Sequence, residues 1–197
     1  MNRIAENVAV GSELVSSPSL AETLLRSGGL ALAGSALVAV CAHVAIPLGF
    51  TPVPVTLQPF AVLLLALLMS PRLAFATMVA YLAEGAAGLP VFTPHGLGGV
   101  AQLLGPTGGY LLSYPVVAPL VSWMHRQGSR GFYRSVAITG AGSLVTLAMG
   151  AVWLGLFTHA AASAVLTHAV LPFLPGDVLK VVAAAGIAVG VSRFRRS

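Results

Sequence analysis

The chain has 197 residues, of which 57% are hydrophobic and only 8% charged. A soluble domain carries about 25% charged residues, so ten Lys and Arg with five Asp and Glu cannot cover a water-exposed surface. Disorder needs polarity and charge and is excluded as well. The composition is that of an integral membrane protein. A single cysteine, Cys41, leaves no internal disulfide framework and no cysteine-based zinc site. The only lysine, Lys180, follows Leu179, so the Gly-Lys-Ser/Thr of a phosphate-binding loop is missing. The net charge of +5 is scattered between apolar runs, whereas a nucleic-acid groove needs basic residues gathered on one exposed face.

Residues 1–20 read as a tail, because they lack the basic start and apolar core of a secretory signal. Residues 21–197 read as one membrane domain. Stretches 27–71, 85–125 and 135–176 hold no charge. One span needs about 20 apolar residues, so each stretch is two spans, or one span and a loop. Proline and glycine mark the breaks. The first helix is expected near 27–46, followed by the break Pro47-Leu-Gly-Phe-Thr-Pro-Val-Pro54 and a shorter helix near 56–69. A tight turn at Pro71-Arg72 leads to a third helix ending near 88. The Pro- and Gly-rich segment 89–107 reads as a structured loop, the fourth helix as 108–125, and 126–134 as a short basic loop. The fifth helix follows at 135–157, a segment 158–174 with room for a short helix comes next, and Pro175-Gly-Asp177 opens the sixth, to about 192.

With six spans, Arg3, Arg26, Arg72, Arg126, Arg130, Arg134, Arg193, Arg195 and Arg196 all fall on one side. The loops 47–55, 89–107 and 158–176 on the other side carry no Lys or Arg. Basic residues favour the cytoplasm, so both termini are expected to be cytoplasmic and the three long loops external. Trp123, near the inner end of the fourth helix, reads as an interfacial anchor.

The external loops are longer than connectors require and read as a site. Non-helical backbone at membrane depth must be buried in protein or line a cavity. The run Gly96-Leu-Gly-Gly-Val-Ala-Gln-Leu-Leu-Gly-Pro-Thr-Gly-Gly109 suits a loop that dips in and lets backbone approach a ligand. Asp177 and Lys180 stand at i, i+3 on one face of the sixth helix. Spacing alone allows two readings: a capping aspartate beside a snorkelling lysine, or a polar pair facing a ligand cavity. Glu84 either faces the bundle, within reach of Lys180 or a ligand, or is an interfacial carboxylate. Tyr81 either stacks on a ligand or packs. Thr56 and Gln58 cap the second helix on the outer side. His43, His95, His159 and His168 lie near the same side, without HExxH or paired-His spacing, so no metal site is expected. A catalytic triad lacks a nucleophile motif, so no catalytic residue is expected. Ala31, Ser35 and Ala39, with Ala33 and Ala36, mark small faces on the first helix. Such stripes serve internal packing or dock another membrane subunit.

Four ordered strings carry a family resemblance: Thr51-Pro-Val-Pro-Val-Thr-Leu-Gln58, Tyr81-Leu-Ala-Glu-Gly-Ala-Ala-Gly-Leu-Pro-Val-Phe92, Gly105-Pro-Thr-Gly-Gly-Tyr-Leu111 and Leu171-Pro-Phe-Leu-Pro-Gly-Asp-Val-Leu-Lys180. The chain resembles the BioY family, the biotin-binding membrane subunits (S-components) of energy-coupling factor (ECF) transporters, from about residue 30 to 190. The resemblance implies an all-α, six-helix S-component fold in a prokaryotic plasma membrane. It implies biotin as ligand, no cofactor, and partner subunits: a membrane scaffold and two ATPases. Carried over, the Pro-Gly-Asp-x-x-Lys motif places Asp177 and Lys180 in the pocket. Tyr81, Phe92 and Tyr110 become candidate walls, and His95 and Gly109 stand in the same loop and turn. The Ala31/Ser35/Ala39 face becomes the expected scaffold-docking surface. Alternatives are an S-component for another vitamin and a biotin transporter that works alone.

Overall fold

The structure, a computed structural model, describes residues 19–129 and 131–194. Arg3, Arg130, Arg195, Arg196 and nearly all of the expected tail lie outside the described residues. The fold is helical throughout apart from one small hairpin. In chain order it runs α1 (Leu20–His43), β1 (Ala45–Ile46), β2 (Val55–Thr56), α2 (Gln58–Leu68), α3 (Pro71–Ala86), α4 (Gly99–Leu104), α5 (Gly108–Arg126), α6 (Phe132–Thr158), α7 (Ala162–Ala169) and α8 (Leu174–Phe194).

Among the described residues three helices, α1, α6 and α8, are long and apolar enough to cross a membrane. α1 starts earlier than its charge-free stretch suggests. Ser19 and Glu22 form a reciprocal capping box, with Ser19 N–H donating to Glu22 Oε2 at 2.8 Å and Glu22 N–H to Ser19 Oγ at 3.1 Å. Two orphan amides of the first turn are thereby satisfied, so the helix includes Glu22 and Arg26.

α2 has 11 residues, about 16 Å of helix, half the thickness of a hydrocarbon core. Ala61 through Leu67 are buried without a break. A helix apolar all round belongs inside, and α2 packs against α1, α5, α6 and α8. Ser70 caps α3, with Pro71 in the first turn, where its missing N–H is harmless. At the same end, Ser122 Oγ donates to Met69 O at 2.6 Å, tying α5 to the end of α2. The Arg134 guanidinium donates to Met124 O at 2.6 Å and His125 O at 3.2 Å, satisfying the last carbonyls of α5. Trp123 is exposed.

At the other end the loops carry more structure than the sequence announces. Ala45 pairs with Thr56 and Ile46 with Val55 in an antiparallel hairpin that closes the 47–54 loop. The segment 89–107 contains α4, and the short helix for which 158–174 has room is α7. The Phe50 ring of the first loop meets the His168 ring of α7, centroids 6.2 Å apart. These loops gather around one end of α2, α5, α6 and α8.

Candidate functional site

A cavity opens beneath the loops, with about 580 Å³ of empty space including its mouth. Val53, Pro54 and Thr56 wall it from the hairpin, Gln58 and Pro59 from the start of α2, and Phe92 and Thr93 from the loop after α3. Gln102 and Thr107 approach from α4 and the turn behind it. Tyr110, Leu111 and Tyr114 come from α5, Thr146 and Leu147 from α6, Phe173 from just before α8, and Asp177 and Lys180 from its start. Apolar and aromatic side chains share the lining with polar and charged ones, the mixture by which a small-molecule site both covers and orients a ligand.

Asp177 and Lys180 are each 7% exposed. Lys180 Nζ donates to Asp177 Oδ1 at 2.9 Å, and Ser143 Oγ of α6 donates to Asp177 Oδ2 at 2.8 Å. Asp177 lies in the first turn of α8, where the helix dipole favours a carboxylate. The ammonium has three protons and spends one on Asp177; no other hydrogen bond of Lys180 occurs among the described residues. The pair therefore presents an anionic acceptor and a cationic donor to the cavity, side by side.

The aromatic walls are held in place by other contacts. Phe92 is buried and lies over Gly85, where a Cβ would collide with its ring. Tyr81 is fully buried. Its hydroxyl donates to Val91 O at 3.0 Å and accepts from Gln58 Nε2 at 2.8 Å, and its ring meets Phe92 edge-on at 5.4 Å. Tyr81 is not on the cavity lining; it packs behind the wall and fixes Gln58 and the Phe92 loop. Tyr110 lies against Gly150 and donates to Ala169 O at 2.7 Å.

Asp177, Lys180, Phe92, Tyr110, Thr56 and Gln58 thus converge on one cavity, and four other candidates do not. Glu84, three residues past Tyr81, points to α1 instead and accepts from Ser35 Oγ at 2.9 Å. His95 is exposed on its loop. Gly109 is buried against α6, where a Cβ would meet Trp153 and the Met149 carbonyl, so it serves helix packing. The Ala31/Ser35/Ala39 stripe lies on the inner side of α1, with Ala39 half-buried. Ala31 and Ser35 are buried, because Ser35 turns inward to bond Glu84 and α1 packs this face on α3.

Sequence reasoning missed Thr93, Gln102, Thr107, Tyr114 and Thr146 on the lining and Ser143 behind Asp177. One signal was available. Ser135, Thr139, Ser143 and Thr146 form a polar stripe at helical spacing, all buried along α6. Polar residues spaced along one face of a charge-free span point inward. For Gln102, whose Oε1 accepts from Leu97 N–H at 2.6 Å and whose Nε2 donates to Thr107 Oγ1 at 2.6 Å, no local pattern marks the role.

Comparison with known proteins agrees with this architecture. The chain is 39% identical over 160 residues to "Biotin transporter BioY2" of Lactococcus lactis subsp. cremoris, covering 81% of this chain and 86% of that protein. It is 35% identical to "Biotin transporter BioY" of Thermotoga maritima, over 81% of this chain and 92% of that one. Among solved structures, the S-component for biotin from an ECF-type ABC transporter superposes with a TM-score of 0.80 at 25% identity, covering 92% of this chain and 96% of that one. The BioY family profile matches residues 15–197, and with the fold in agreement, this chain is a membrane protein that belongs to the BioY family.

Proposed function

We propose that this chain is the biotin-capturing subunit of an ECF-type uptake transporter. Biotin carries two ureido N–H donors and one carbonyl, an apolar thioether ring, and a valerate carboxylate. The buried Asp177–Lys180 pair, opening into a cavity lined by Phe92, Tyr110, Tyr114 and Phe173, is the observation that carries the reading. Asp177 accepts a ureido N–H. Lys180 donates to the ureido oxygen or the carboxylate. Phe92 and Tyr110 cover the ring system, with Gln58 and Thr56 on the wall at the start of α2. Names of relatives and of the superposed structure supply the vitamin; the geometry supplies the complementary chemistry.

In the membrane the chain crosses six times, through α1, α3, α5, α6 and α8 and through the buried α2, whose crossing is completed by the non-helical segments at its two ends, with the cavity on the outer side. Arg26, Arg72, Arg126, Arg134 and Arg193 then lie at the inner side, so both termini are cytoplasmic. No phosphate-binding loop exists in the sequence, so ATP-driven import runs through a membrane scaffold and two ATPase subunits. The scaffold docks on the outward face of α1, where Ala33 and Ala36 stand beside exposed Leu32, Leu37 and Val40.

Calorimetric titration of the detergent-purified chain with biotin, and with thiamine as control, tests the reading. Saturable binding of biotin alone is expected, with a loss of at least about tenfold in Asp177→Asn and in Lys180→Ala, the scale of a hydrogen bond to a charged group. If both variants bind like the parent chain, the assignment of this pair fails.

A further inference from the structure

Most polar side chains along the cavity are already engaged by the protein. Gln102 bonds Leu97 and Thr107, Tyr110 bonds the Ala169 carbonyl, Thr146 accepts from Ser113 and Thr56 accepts from the Gln58 amide. Two hydroxyls are different. Thr93 Oγ1 is buried and has no hydrogen-bond partner. Tyr114 is 2% exposed as a residue, its hydroxyl oxygen is left accessible from the cavity, and it makes no hydrogen bond among the described residues. Both side chains line the cavity, Thr93 from the loop between α3 and α4 and Tyr114 from the second turn of α5.

A buried hydroxyl without a partner costs stability, and buried tyrosines ordinarily find one. Valine and phenylalanine fill the same two volumes without that cost. Thr93 and Tyr114 therefore hold two donors in reserve, facing the space where a ligand sits. We propose that the Thr93 and Tyr114 hydroxyls bind the ligand directly, each donating a hydrogen bond to one of its oxygens. This rests on reading the cavity as a biotin site. Biotin places oxygens at both of its ends, in the ureido carbonyl and in the carboxylate. The spare protons of Lys180 serve only one locality. Donors arriving from the loop and from α5 serve oxygens the ammonium does not reach, and the Thr93 bond fastens the 89–98 loop to the bound molecule.

The test pairs calorimetric titration with biotin and thermal unfolding of the ligand-free protein, for the parent chain, Thr93→Val, Thr93→Ser and Tyr114→Phe. Removal of either hydroxyl is expected to weaken biotin about five- to tenfold. The ligand-free melting temperature should stay equal in Tyr114→Phe and stay equal or rise in Thr93→Val, where an unpaired buried hydroxyl is gone, and Thr93→Ser should restore affinity. Parent-like affinity in both hydroxyl-free variants overturns the proposal while leaving the biotin reading intact. A fall in ligand-free stability in step with affinity overturns it too, since that marks a structural bond. If the parent chain itself takes no biotin, the reading of the cavity fails first and this proposal with it.

Discussion

Placing Asp177 and Lys180 in the interior costs desolvation energy that their mutual attraction barely offsets, so the two are informative when altered separately and together. Lys180→Met leaves a carboxylate buried beside Ser143 with no cation. Breaking a buried pair this way destabilises by roughly 3–5 kcal/mol, readable as a large drop in melting temperature in detergent. The double variant Asp177→Asn/Lys180→Met removes the stranded charge, while the amide oxygen that replaces the carboxylate still accepts from Ser143. It is expected to regain most of that stability and to stay unable to bind biotin. A double variant as unstable as Lys180→Met would show that the pair is needed for folding rather than held for a ligand. At this scale the motif ending in Asp177 and Lys180 was legible because ionisable residues are so few that each is conspicuous. Thr93 and Tyr114 were not legible, since a threonine after a Phe or a tyrosine inside a span is unremarkable until its neighbours are known.

The helices position these residues through close contacts that single methyl groups would spoil. Tyr110 rests on Gly150 and Phe92 on Gly85, each ring occupying the space of the missing Cβ. Gly150→Ala is expected to push the Tyr110 ring into the cavity and strain its bond to Ala169, weakening biotin binding and costing about 1–3 kcal/mol as overpacking does. Unchanged binding and melting would mean that α6 shifts freely there. The Ser19 cap lies far from the cavity, and Ser19→Ala should cost about 1 kcal/mol with biotin affinity untouched, a control for stability effects in the same titration. Helix positions followed from proline, glycine and the charge-free stretches, but the start of α1 did not. A charge is tolerated in a first turn that a capping box and water both serve, so the absence of charge underestimates the helix. The β1–β2 hairpin and α4 stayed hidden because two paired residues per strand and six helical residues carry no usable periodicity.

At the scale of the whole molecule, the proposed topology puts Arg26, Arg72, Arg126, Arg134 and Arg193 on the side opposite the cavity loops. The chain offers a direct test, because its single cysteine, Cys41, is buried. His95→Cys and Ser129→Cys place a thiol on exposed loops at opposite ends. In intact cells, a membrane-impermeant maleimide should label position 95 and spare position 129, with the parent chain as the unlabelled baseline. Labelling of position 129 alone would invert the proposed orientation. Ala36→Trp on the outward face of α1 should reduce co-purification of a membrane scaffold subunit and leave biotin binding of the isolated chain intact. Parent-like co-purification would move the docking surface elsewhere.

Composition alone determined that this is a membrane protein, because fifteen charged residues cannot solvate a chain of this size, and the few charges left in apolar surroundings marked the candidate pair. Which small stripe of α1 faces inward, where Glu84 turns, and which hydroxyls reach the cavity were decided only by the tertiary structure. Helical spacing fixes which residues share a face. The rotation of that face toward one neighbour or another depends on packing between helices far apart in sequence, as Ser35 bonding Glu84 shows.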